Sequence, residues 1–179
     1  MVLKFDRKRD PIGVTQKTWP RGKHGPMHHV LTLETRVLSD EARDALGDAA
    51  AVALFLADID EPAAGSAVVP LSASELRKAS APEVASTIDG VRLDLHEIPM
   101  PKAVFRGGKK TGTLRELRVA LDRLDGTVAT DVASPRWIQD PEHWGPLLLQ
   151  FDARFAPKLN FGDQGALYVF PDDIVFQCG

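Results

Sequence analysis

The last third of the chain, "SPRWIQDPEHWGPLLLQFDARFAPKLNFGDQGALYVFPDDIVFQC", sets Trp137, Gln139, His143, Gln150, Asp152, Asn160 and Asp163 among apolar runs. An Asp beside a His can move protons as a general acid or base, and a Trp can stack on a planar ligand. Amides embedded in apolar strands must be hydrogen-bonded, at a cost on the order of 1–3 kcal/mol for each group left unpaired. These seven residues are therefore the candidates for a ligand or partner site, and none is assigned a catalytic role. Within "NFGDQGALYVF", Asn160, Gly162, Asp163 and Gly165 adopt positive φ or cap their own backbone cheaply. The stretch is expected to turn "LLLQFD" back toward "ALYVF", with Gln150, Asp152 and Gln177 bonding into that turn.

Other chemistries lack their spacing. "FRGGKKTGTLREL" runs a Gly-rich loop with Lys109 and Lys110 into a helix start, but five positions before Gly108 stands Ala103, not the Gly of a phosphate-binding loop. It reads as a surface loop. His28 and His29 are adjacent and face opposite ways on a strand, and His24, His96 and His143 have no zinc-motif spacing, so no metal or other cofactor is expected. The single Cys178 has no nucleophile signature and is expected to be a small buried residue. Asp172 and Asp173 read as turn residues.

Candidate residues need elements to position them. "MHHVLTLET" alternates with the period of a half-buried strand, with Met27, His29, Leu31 and Leu33 on one face and His28, Val30, Thr32 and Glu34 on the other. "AAVALFLAD" is continuously apolar and predicts a short strand buried on both faces, while "DEPAAGSAVVP" reads as a loop. Ser39 before "DEARDAL" is an N-cap, and Ser72 with Glu75 and Thr113 with Glu116 have capping-box spacing. "TLRELRVALDRL" lines up Leu114, Leu117, Leu121 and Leu124 as a helical stripe, stopped at Gly126. "RLDLHEIP", "PLLLQFD", "ALYVF" and "DIVFQC" are short strands. Together they predict a single α+β domain over residues 1–179, with a mainly antiparallel sheet and a few capped helices.

"RWIQ", "LLLQFD", "NFGDQGALYVF" and "FQC" occur in that order. On these blocks the chain resembles the YwqG-like family, a bacterial family of unknown function. Its members carry a Trp-Ile-Gln segment, a Leu-Leu-Gln-apolar-Asp strand, an Asn-apolar-Gly-Asp-x-Gly turn before a Leu-Tyr-apolar-Phe strand, and a terminal Gln-Cys. The likeness covers residues 134–178, with looser echoes in "HHVLTLET" and "AVALFLADID". The Gly-rich segment that precedes the Trp in relatives reads here "LDGTVATDVASP". The resemblance implies a sheet-rich cytoplasmic α+β protein without an established reaction, and an association of some relatives with toxin and immunity gene sets.

Composition agrees with a soluble, unexported chain. At 179 residues and 44% hydrophobic, it is long enough for one domain burying roughly 70% of its unfolded surface. One Cys leaves no internal disulfide, and no run approaches the ~18 apolar residues of a membrane span. The net charge of −3 divides unevenly: residues 1–29 hold seven Lys/Arg against two Asp, giving +5, and the remainder carries −8. A basic arm over about residues 1–26 thus precedes an acidic body and is expected to lie against it. Trp19 is the only aromatic between Lys17 and Lys23, which speaks against a nucleic-acid surface. The expected function is a non-catalytic cytoplasmic binding protein with a protein partner, of the immunity type that neutralises a toxin. The alternative is a small-ligand or hydrolytic site built from the candidates above.

Overall fold

Ala51–Leu56 presents six consecutive apolar side chains, all buried, a run that only a strand covered on both faces can satisfy. The computed structural model describes residues 2–6, 13–77, 92–94, 128–130, 137–152, 159–162 and 165–179. The strands in chain order are β1 (Val2–Asp6), β2 (Arg21–Gly22), β3 (Gly25–Pro26), β4 (His28–Glu34), β5 (Ala51–Leu56) and β6 (Ser66–Leu71). They continue as β7 (Arg92–Asp94), β8 (Val128–Thr130), β9 (Leu149–Asp152), β10 (Ala166–Val169) and β11 (Ile174–Gln177). Strands β4-β5-β6 form one sheet with β5 in the middle, β11-β10-β9-β8-β1-β7 form a second, and β2-β3 form a small ribbon. Every pairing is antiparallel, so the fold is α+β with antiparallel sheets, as the short punctuated strands predict.

The main core lies between the two larger sheets. Leu31, Leu33, Val52, Leu54 and Leu56 from one meet Leu149, Phe151, Leu167 and Val169 from the other. On the opposite face of β5, Ala51, Ala53 and Phe55 pack with Val14, Trp19, Met27 and Leu71. Trp19 meets Phe55 edge-on, with ring centroids 4.8 Å apart, and its indole N–H donates to the Met27 carbonyl at 2.7 Å. The basic N-terminal segment is therefore built into the fold twice, through β1 inside the larger sheet and through Trp19 in this core.

Strand β4 departs from the simple alternation. His29 pairs with Phe55 and Leu31 with Leu54, leaving Val30 as an extra residue in a bulge. Inserting one residue reverses the phase of everything beyond it. Met27 accordingly belongs to the core of Trp19, and His29 packs edge-on against Phe55, whereas Leu31 and Leu33 enter the main core. The expected shared face does not form, and β4 is buried on both sides from His29 to Leu33.

The helices obey their caps. α1 (Asp40–Leu46) begins at Ser39, whose hydroxyl accepts from the Ala42 N–H, and buries Ala42 and Leu46. α2 (Ala73–Arg77) starts with the reciprocal box: the Ser72 N–H donates to Glu75 at 2.8 Å and the Glu75 N–H to the Ser72 hydroxyl at 3.3 Å. "DEPAAGSAVVP", expected as a loop, instead holds a 3-10 turn at Pro62–Ala64 and most of β6. Small residues suit this edge strand, and Pro70 is exposed on it. The Thr113 cap, the stripe from Leu114 to Leu124, Gly126, the Gly-Lys loop, His96 and Asp163 lie outside the described residues.

Candidate functional site

The outer face of the larger sheet is where most of the candidate residues meet. β10 alternates: Leu167 and Val169 enter the main core, and Ala166, Tyr168 and the following Phe170 form a second apolar layer with Val175 and Leu147. Both faces of this strand must be covered, and residues 137–147 supply the cover as a strap without helix or strand. Trp137 lies flat on Tyr168, with centroids 4.5 Å apart and planes 29° from parallel, and reaches Phe170 at 6.0 Å. His143 packs on Phe170 at 4.1 Å. In register, Gln150 stands opposite Tyr168, and Ala166 lies between Asp152 on β9 and Gln177 on β11.

Gln177 fastens the strap. Its side-chain carbonyl accepts from the N–H groups of Ile138 and Gln139, both at 3.1 Å, and its amide donates to the Asp140 carbonyl at 2.9 Å and to Glu142 at 2.8 Å. Gln177 is 2% exposed, and both lone pairs and both N–H bonds of its amide are used. The Tyr168 hydroxyl also accepts from the Ile138 N–H, at 3.0 Å. Burial pushes the phenol above its ordinary value, and that N–H works in the opposite direction. Gln139 returns the contact, donating to the Cys178 carbonyl at 2.7 Å. Gln177 thus bonds to the segment around Trp137, not into the Asn160 turn, because its strand position aims it at the outer face.

Asn160 works elsewhere. Its backbone N–H donates to the Ile59 carbonyl and its amide to the Asp60 carbonyl, each at 3.0 Å, tying this turn to the loop after β5. Its side-chain oxygen accepts from the Gly162 N–H at 3.1 Å, the self-capping expected of Asn in a turn. Gly162 has φ of 56°, and a side chain at Gly165 would collide with the Phe161 carbonyl. The stretch between β9 and β10 is a turn at these positions. It is separate in chemistry from the strap.

His143 finds its acid at Asp172, with Nε2 3.3 Å from the carboxylate. Asp173 serves the β10–β11 turn as expected, its carboxylate accepting from Ile174 and its carbonyl from Phe170. Cys178, expected to be buried, is exposed just beyond β11. Elsewhere, His29 is buried beside Phe55 and Trp19, with Nε2 2.9 Å from the Thr32 hydroxyl. Burial holds its imidazole down at about 4 from an ordinary 6.5, with the backbone at Leu31 acting to raise it. Among the described residues no group of three or more His, Cys, Asp or Glu is placed to hold a metal ion. No described helix is long and apolar enough to cross a membrane.

Sequence reasoning missed Trp144, which is 84% exposed, and the role of Tyr168 and Phe170 as the shelf under the strap. The second was visible in "ALYVF": apolar residues at every position require cover on both faces. Exposure of Trp144 has no counterpart in local spacing. No family model, curated protein or solved structure matches the chain.

Proposed function

We propose that this chain is a non-catalytic protein-binding module of the YwqG-like type, acting in the cytoplasm as an immunity-type protein that covers a partner. One observation carries this reading: Gln177, Tyr168 and Gln139 direct their polar groups into holding the strap of residues 137–147 against the sheet. Preorganised hydrogen bonds of this kind give a surface a fixed shape, which lowers the ordering cost of binding. The acidic remainder of the chain, −8 beyond residue 29, favours a basic partner through steered encounter.

A small-ligand or hydrolytic site is the second reading, favoured by the contact of His143 with Asp172 beside the aromatic shelf. Such a pair can act as a base and its orienting acid. Native mass spectrometry of the tagged protein, captured gently from lysate of its own host, separates the two. A stoichiometric basic protein, lost at high salt, supports the binding module. A retained small molecule, or a partner held equally well at low and high salt, overturns this account of it.

A further inference from the structure

We propose that Trp144 is the anchor of a docking site for a basic protein segment, one that brings Arg or Lys side chains against its indole. This inference rests on the protein-binding reading and names the surface and the chemistry of its partner.

Trp144 and Ile138 are the large apolar side chains exposed among the described residues, and both belong to the strap. A lone exposed Ile is ordinary, but an 84% exposed indole forgoes an unusually large apolar burial. Its backbone neighbours are held. His143 turns inward onto Phe170 and toward Asp172, and a side chain at Gly145 would come within 3.3 Å of the His143 ring. Gly145 thus leaves room for the His143 ring, while Trp144 beside it stays exposed. Behind them, Gln177 fixes the strap through Ile138, Gln139 and Glu142. An aromatic presented from a fixed backbone loses little freedom on binding, which is how Trp becomes a dominant contact at interfaces.

Charge selects the occupant. The described side chains from residue 137 onward include Asp140, Glu142, Asp172 and Asp173, and no Lys or Arg. Guanidinium and ammonium groups are drawn both to carboxylates and to the face of an indole. An acidic partner would be repelled by the strap carboxylates of Asp140 and Glu142, which stand four and two residues before Trp144. A second copy of the chain is an alternative occupant that the test distinguishes.

A short peptide alternating arginine and leucine is the probe, with a glutamate–leucine peptide as its charge-inverted control. Binding is followed by anisotropy of a label on the peptide, for the full chain and for Trp144→Ala, Trp144→Phe and Asp140→Asn/Glu142→Gln. The expected result is salt-sensitive binding of the arginine peptide alone, weakened about tenfold or more by Trp144→Ala and less by Trp144→Phe. The double neutralisation should weaken it too, since Gln at position 142 can still accept from Gln177. Unchanged melting of the variants excludes misfolding, as Trp144 packs on little. Equal binding by the parent and Trp144→Ala overturns this site while leaving the binding-module reading standing. Failure of the arginine peptide to bind, or preference for the glutamate peptide, overturns the basic-segment assignment. So does a dimer of the parent chain that Trp144→Ala makes monomeric.

Discussion

Gln177 is a single amide with four hydrogen bonds, buried at the end of an edge strand. Replacing it by Leu leaves two N–H groups and a carbonyl of the strap without this partner, each worth on the order of 1–3 kcal/mol where water cannot replace it. Gln177→Leu should destabilise the fold by about 2–4 kcal/mol in chemical denaturation, the lower end applying if water enters. Tyr168→Phe should cost less, about 1 kcal/mol, because Ile138 keeps its bond to Gln177. Equal losses would mean that the two acceptors share the load. His29 gives a second test at this scale. Its folded value of about 4 lies below the 6.5 of the unfolded chain, so between those pH values the unfolded state binds more protons. The stabilisation from keeping His29 neutral is complete above 6.5 and is lost as pH falls toward 4, by on the order of 3 kcal/mol in all. His29→Gln should flatten the dependence of unfolding free energy on pH across that window. An unchanged slope would place the titration elsewhere.

At the scale of elements, the bulge in β4 and the turn before β10 decide which side chains meet. Deleting Val30 would remove the extra residue and make His29 and Leu31 consecutive in a regular strand, so that Met27 and His29 keep the face opposite to Leu31 and Leu33. The deletion should keep cooperative unfolding by near-UV circular dichroism while losing the buried Val30 side chain, as Val30→Ala does at about 1–3 kcal/mol. Loss of cooperative unfolding in the deletion variant would instead show that the strand needs the bulge itself to hold its two phases. At the turn, Gly165→Ala should be far more damaging than Gly162→Ala, since the first meets the Phe161 carbonyl and the second only a φ of 56° costing about 1 kcal/mol. The elements themselves were legible where the cue is local: the Ser39 cap, the Ser72–Glu75 box, and the unbroken apolar run of β5. The bulge was not, because "MHHVLTLET" fits a regular strand and only pairing with Phe55 and Leu54 places the extra residue. β6 was hidden by its small residues, and the strap by the separation of 38 residues between Gln139 and Gln177.

For the whole molecule, layers follow from the number of apolar faces the sequence supplies. β5 and β10 each need two covers, so the chain stacks the segment around Trp19, the three-stranded sheet, the larger sheet and the strap. Among the described residues the strap lies on the outer face of the larger sheet, with the backbone amides of Ile138 and Gln139 held by side chains. That arrangement is the centre of the account, since both the proposed binding surface and the position of Trp144 depend on a strap that does not move. Backbone amide hydrogen exchange at Ile138 and Gln139 tests it most directly. Slow exchange of both amides in the parent chain, lost at Gln139 and only reduced at Ile138, which keeps the Tyr168 hydroxyl, in Gln177→Leu while the amides of β5 stay protected, is the predicted result. Exchange at Ile138 and Gln139 as fast as in an unstructured peptide would contradict it.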